Sequence, residues 1–164
     1  MSTVEILVGI AEIAVALAGF TGVVVAFGSR GQGAWHPGDK LRLGFLLESS
    51  LTAAGFSLLA LLLLSLAESE ALTWAAMSGI WALFMPGSLW SSRKRIAQNA
   101  DAHGDVDKVA NRITGALFWV LVAVQIANVL VWREFAPFLA ALLSNMAGSA
   151  MQFSRLIRSA FHDG

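Results

Sequence analysis

The chain has 164 residues, of which 57% are hydrophobic and only 13% are charged. Soluble domains carry about 25% charged residues, and a chain this short has too little interior to hide so much apolar surface. The composition therefore excludes a soluble globular domain and a disordered chain, and it predicts an integral membrane protein. Eleven basic residues balance eleven acidic ones, so no excess of positive charge indicates nucleic acid as a partner.

The residue types needed for several kinds of catalysis are missing. The sequence has no cysteine, which excludes disulfides, thiolate catalysis and cysteine-based metal sites. None of its three histidines joins a serine and an aspartate in a recognisable triad. Asp101, His103, Asp105 and Asp107 alternate as at the start of a calcium loop, but the glycine and glutamate that such a loop needs are absent. We therefore predict no enzyme, no cofactor and no metal.

Five stretches are long and apolar enough to form membrane-spanning helices, each of which needs about 20 residues. They cover residues 4–27, 41–67, 71–90, 113–132 and 135–156. No basic segment precedes the first stretch, so we expect a retained span and not a cleaved signal peptide. Pro86 and Gly87 are expected to kink or end the third helix, and Pro137 suits the first turn of the fifth. The predicted fold is all-α, with one transmembrane domain over residues 1–164.

The distribution of lysine and arginine predicts the orientation of these spans. With the N-terminus outside, ten of the eleven basic residues lie inside, mostly in loops 28–40 and 91–112. Only Arg133 then lies outside, and neither four spans nor a reversed chain reproduces this partition. We expect an N-out, C-in protein, and a bacterial cytoplasmic (inner) membrane is its predicted location.

The polarity of the fifth and third predicted spans indicates how each of them meets the membrane. Ser144, Asn145, Ser149 and Gln152 make the fifth stretch less apolar, and the alternative for it is an amphipathic helix lying on the membrane surface. The third stretch carries almost no polar stripe, so we expect it to face lipid more than the others do.

Two glutamates lie deep within predicted spans, where ionisable residues are costly and are functional candidates. At about 1.5 Å per residue, Glu12 lies roughly 22 Å above the inner end of its helix and Glu48 roughly 10 Å above it. Matching depths on other helices predicts two polar layers. The outer layer holds Glu12, Gln125, Asn128 and Ser57. The inner layer holds Glu48, Asn145, Ser149 and Gln152, with Thr52 on the same helix face as Glu48.

These polar residues have two interpretations that the sequence leaves open. Side-chain amides often hold membrane helices together by hydrogen bonds, each worth about 1 kcal/mol or less. A buried carboxylate, by contrast, is typical of an ion or proton pathway. On the first helix, Ala14, Ala18 and Gly22 form a small-residue face suited to helix packing, separate from the face of Glu12.

The first two helices carry a resemblance. Residues 10–25, IAEIAVALAGFTGVVV, and residues 41–51, LRLGFLLESSL, resemble a family of small bacterial multi-span membrane proteins with no assigned function. The resemblance implies a bacterial inner-membrane location and no particular activity.

The function predicted from these observations is a homo-oligomeric, cation-selective ion channel. Five helices are few for a transporter, and no internal repeat is visible, whereas copies of a small protomer can enclose a pore. Rings of glutamate favour cations or protons. The alternatives are a proton- or cation-coupled transporter and a non-conducting scaffold or partner subunit. The expected partners are the lipid bilayer, further copies of the chain, and monovalent cations or protons.

Overall fold

The protein is helical throughout almost all of the residues that the computed structural model describes, which are 2–28, 37–98 and 108–162. The helices are α1 (Thr3–Gly28), α2 (Pro37–Leu66), α3 (Glu70–Gln98), α4 (Lys108–Ala127) and α5 (Phe135–His162). A π-helical turn, Asn128–Trp132, extends α4. The all-α prediction with five helices is confirmed. The alternating aspartates of residues 101–107 lie outside the described residues.

Three of the described segments are long and apolar enough to cross a membrane: Thr3–Val23 in α1, Lys40–Leu66 in α2, and Gly115–Trp132 in α4 and its π-helical turn. Helices α3 and α5 have 29 and 28 residues, so length does not separate them from the other three. What separates them is lower hydropathy within the apolar part itself, which contains tryptophan, serine, glycine and proline in α3 and serine, asparagine and glutamine in α5. The membrane character of the chain is thus supported by three helices, and the five-span arrangement stays a prediction.

Helix α1 begins with a reciprocal cap. The backbone N–H of Ser2 donates to Glu5 Oε2 at 2.7 Å, and the backbone N–H of Glu5 donates to Ser2 Oγ at 3.2 Å. This capping box satisfies amide groups that have no partner within the helix, and it places a carboxylate at the positive end of the helix dipole. Glu5 therefore has a structural role at the start of α1.

Helix α3 continues through Pro86 and ends at Gln98, so the predicted loop 91–112 is helical at both ends. A proline removes one backbone hydrogen bond but does not prevent the next turn from forming. The residues beyond Pro86 include the good helix formers Arg93, Lys94 and Arg95. The helix therefore extends past the apolar stretch that marked its predicted end.

The chain divides into two compact units, residues 1–58 with 142–164, and residues 59–141. In the first unit, Ala14 of α1 is fully buried and clusters with Ala53 and Ala54 of α2, and Met146 of α5 packs against this cluster. Small side chains at these positions let the helix backbones come close together.

In the second unit, α3 and α4 run antiparallel. Ser78 in the first half of α3 bonds to Asn128 in the π-helical turn that extends α4. Arg93 near the end of α3 lies beside Gly115 near the start of α4. The Trp81 and Phe118 rings pack between them with their centres 6.4 Å apart.

The expectation that the third helix faces lipid most is wrong. Helix α3 buries a continuous face at Thr73, Trp74, Met77, Ser78, Trp81 and Met85. Among the three candidate spans, the segment Gly115–Trp132 is the least buried, because only 17% of it is buried inside the protein. The lack of a polar stripe does not show that a helix faces lipid, because aromatic and methionine side chains can pack between helices without any polar group.

Candidate functional site

The Glu12 carboxylate is exposed and lies at the middle of a candidate membrane-spanning helix. It is next to Ile13, the midpoint of the span Thr3–Val23, and its side chain is exposed. Among the described residues, none forms a hydrogen bond or salt bridge with Glu12. An acidic residue at the centre of a spanning helix costs about 2.5–3.5 kcal/mol on insertion scales when it faces lipid. No partner for this carboxylate is found among the described residues, so the cost of placing it in lipid is not offset by any of them.

The helix face around Glu12 is lined by small residues and is open. Ala16, Gly19 and Gly22 follow Glu12 at intervals of three or four residues, and all three are exposed. A Cβ atom added at Gly19 or Gly22 meets no other atom within 4 Å. We call Glu12, Ala16, Gly19 and Gly22 the Glu12 face. Gly22, predicted to belong to the packing face of Ala14, instead lies on this open face, while Ala18 between them is half-buried.

Glu48 has a different environment from Glu12. Its side chain is half-buried and has an interaction partner. The neighbouring Ser49 Oγ lies 3.9 Å from the position of a Cβ on Gly148, which places this part of α2 against α5. Glu48 is therefore less accessible than Glu12 and already interacts with another group of the chain.

The other predicted inner-layer residues lie on α5 beside this contact. Ser149 is fully buried and its hydroxyl donates to the Asn145 carbonyl at 3.2 Å. The Asn145 Nδ2 is buried and has no hydrogen-bond acceptor among the described residues. Gln152 on α5 and Thr52 on α2 are half-buried. The described contact between α2 and α5 here is that of Ser49 with Gly148, and both the predicted inner layer and its role in ion binding stay predictions.

Gln125 and Asn128, predicted for the outer layer, are fully buried in the second unit and hold the α4–α5 connection in place. The Asn128 Nδ2 donates to Ser78 Oγ at 2.7 Å and to the Glu134 carbonyl at 3.0 Å. Its Oδ1 accepts from the Glu134 N–H at 2.9 Å. Gln125 donates to the Pro137 carbonyl at 2.7 Å. Three side-chain bonds make Asn128 the polar link between α3, α4 and the start of α5.

Two members of this connection were not identified from the sequence. Ser78 stood in an apolar helix and was not recognised as the partner of Asn128. The adjacent Gly79 also lies at this contact, because Val129 Cγ2 is 3.6 Å from the position of a Cβ on Gly79, an ordinary van der Waals distance. Arg133 adopts φ 56° and ψ 42°, a left-handed conformation that usually ends a helix at glycine or asparagine. No sequence pattern indicated an arginine there.

Comparison of the chain with protein-family models, with curated proteins and with solved structures finds no match. The resemblance of its first two helices to a bacterial multi-span family stays a prediction.

The two groups of polar residues differ in what they can do chemically. Asn128 makes three side-chain hydrogen bonds within the chain, as helix-linking amides do, whereas Gln125 makes one and its buried Oε1 has no partner among the described residues. Glu12 alone among the predicted site residues combines an ionisable side chain, exposure and no partner among the described residues. It is therefore the residue best placed to meet an ion or another protomer.

Proposed function

We propose that the chain is the subunit of a homo-oligomeric, cation-selective channel in a bacterial cytoplasmic membrane. The observation that carries this proposal is the exposed carboxylate of Glu12 at the midpoint of a candidate membrane span, where it has no partner among the described residues. Copies of the chain related by cyclic symmetry would present the Glu12 face to a shared axis. A ring of carboxylates then surrounds a hydrated pathway and favours cations over anions.

The small residues of the Glu12 face support this assembly. Exposed glycine and alanine in a membrane helix allow close approach of another helix. Ala16, Gly19 and Gly22 provide such a surface directly below Glu12, and no described side chain of the same protomer covers Gly19 or Gly22. Packing of copies through this small-residue surface would therefore bring their Glu12 side chains close to one another.

The proposed subunit has five spans with its N-terminus outside. Helix α3 contacts the candidate span Gly115–Trp132 at both ends, through Arg93 at Gly115 and through Ser78 at Asn128. A helix that accompanies a spanning helix over its full length crosses the membrane with it. This supports α3 as a span despite its polar end, and α5 is then the fifth, which brings the C-terminus inside.

Reconstitution of the purified chain in a planar bilayer tests the proposed function. We expect discrete unitary currents with a reversal potential, in a potassium chloride gradient, close to the cation equilibrium value. Saturable, pH-dependent flux without unitary currents would replace the channel by a coupled transporter. Silence across voltage and pH, with the protein shown to be inserted, would leave a non-conducting scaffold or partner subunit.

Cysteine cross-linking tests the assembly independently of conduction. The sequence contains no cysteine, so a single introduced thiol reports only its own position. We expect Ala16→Cys to form disulfide-linked dimers in membranes under mild oxidation, because the Glu12 face is the proposed contact between copies. Leu117→Cys, at an exposed position on α4, is the matched control and should remain monomeric. Equal cross-linking at both positions would contradict the proposed interface.

A further inference from the structure

One end of the α3–α4 pair carries two exposed basic side chains. Arg93 and Lys94 are exposed on α3, and none of the described acidic side chains pairs with either. The Arg93 guanidinium reaches across to α4, where its Nη2 lies 3.6 Å from the position of a Cβ on Gly115. Since Gly115 has no side chain, it leaves the guanidinium uncovered on that side. Two positive charges therefore project from the same end of this helix pair.

Two exposed tryptophans lie next to these charges. Trp90 is 77% exposed and precedes Arg93 by three residues, and Trp119 is 54% exposed and follows Gly115 by four residues. Because α3 and α4 are antiparallel, both rings lie on the same side of the Arg93–Gly115 contact, about one turn closer to the middle of the span. Tryptophan is enriched at the level of lipid headgroups, where its ring is partly apolar and its N–H is polar.

The distance to the other end of the span fits a bilayer. Arg133, exposed at the opposite end, follows Gly115 by eighteen residues, which is about 27 Å of helix. The hydrocarbon core of a bilayer is about 30 Å thick. Arg93 and Lys94 therefore lie at headgroup depth when α4 crosses the membrane, with Trp90 and Trp119 at the border of the hydrocarbon.

From this arrangement we infer that Arg93, Lys94, Trp90 and Trp119 form a binding site for an anionic phospholipid in the leaflet at that end of the helix pair. The lipid phosphate accepts hydrogen bonds from the Arg93 guanidinium and contacts the Lys94 ammonium. The two indole rings flank the glycerol and upper acyl region. The site depends on membrane insertion but not on conduction, so it goes beyond the proposed channel function.

Quenching by brominated lipids tests this site. The protein is reconstituted in vesicles of phosphatidylcholine mixed with either brominated phosphatidylglycerol or brominated phosphatidylcholine. We expect brominated phosphatidylglycerol to quench tryptophan fluorescence more strongly at equal mole fraction, and Trp90→Phe with Trp119→Phe to remove the difference. Arg93→Gln with Lys94→Gln should lower the preference for the anionic lipid, by about fivefold for each charge removed.

Matched variants separate a specific site from general attraction. Arg155→Gln removes an exposed basic residue from α5 and should leave the preference unchanged, and Arg93→Lys should retain most of it. An unchanged preference after Arg93→Gln with Lys94→Gln would overturn the inference, as would an equal loss in Arg155→Gln. Displacement of the brominated lipid by millimolar inorganic phosphate would also overturn it, because the site would then bind free phosphate.

Discussion

Replacing Glu12 by glutamine is expected to remove most of the cation selectivity of the reconstituted protein. A unit charge 6 Å from a permeating ion contributes about 3 kcal/mol at an effective dielectric constant of 20, and a ring sums several such contributions. Glu12→Gln keeps the shape and hydrogen-bonding ability of the side chain but removes the charge. We expect the ratio of potassium to chloride permeability, obtained from reversal potentials, to fall by about tenfold or more.

Two other glutamates provide controls for the Glu12 substitution. Glu5 caps the start of α1, and glutamine also serves in a capping box, so Glu5→Gln should preserve folding and most of the selectivity. Glu48 is half-buried and has an interaction partner, so Glu48→Gln should affect stability more than selectivity. Selectivity that survives Glu12→Gln but is lost in Glu48→Gln would move the proposed ring from α1 to α2.

The largest loss of stability is expected when Asn128 is replaced by leucine. Leucine has the same branching and the same number of side-chain heavy atoms but is somewhat larger, so the substitution removes three side-chain hydrogen bonds without opening a cavity. Hydrogen bonds between membrane helices average about 0.6 kcal/mol each, and the abandoned Ser78 hydroxyl adds a desolvation cost. We expect the free energy of unfolding, measured by denaturant titration in mixed micelles, to fall by about 2–3 kcal/mol.

A double-mutant cycle with Ser78→Ala isolates one of these bonds. Ser78→Ala alone should cost about 0.6 kcal/mol, since Asn128 keeps both of its contacts with Glu134. The loss should be smaller in the Asn128→Leu background, because the Ser78–Asn128 bond is then already absent. Additive losses would show that this bond contributes nothing, and a total loss below about 0.5 kcal/mol would show that Asn128 is not an important link.

The two sets of polar residues show why the sequence predicted where polar groups lie along each helix but not which way they face. Glu12 and Asn128 were assigned to one layer because depth follows directly from residue number along a helix. Their surroundings differ completely, since Glu12 is exposed and Asn128 is fully buried. Orientation depends on which neighbouring helix packs on which face, and residue number along one helix carries no such information.

The small-residue face of α1 illustrates the same limit. Ala14, Ala18 and Gly22 share a helical face, and the sequence predicted packing along all of it. The structure buries Ala14 against Ala53 and Ala54 but leaves Gly22 open. Four residues of an α-helix turn about 400°, which is about 40° more than a full circle, so a row with a spacing of four residues drifts around the helix and leaves the contact.

Composition and helical length determined the class of this protein. A chain with 57% hydrophobic and 13% charged residues can form all of its backbone hydrogen bonds in lipid by folding into helices. The described residues indeed form five α-helices. Helix ends were less predictable, because α3 passes Pro86 and extends to Gln98. Local hydrogen bonds and the helix propensity of the residues determine where a helix ends, and hydropathy measures neither of them.

Only the tertiary structure decided which polar side chains are already satisfied and which are not. It placed Asn128 among three hydrogen bonds, buried Ser149 against the Asn145 carbonyl, and left Glu12 on the surface of a membrane-crossing helix. The physical reason is that a side chain's chemistry is local to the sequence, whereas its partners come from helices distant along the chain. The sequence thus determined how many costly polar groups lie in the apolar helices, and packing decided that Glu12 is exposed with no partner among the described residues.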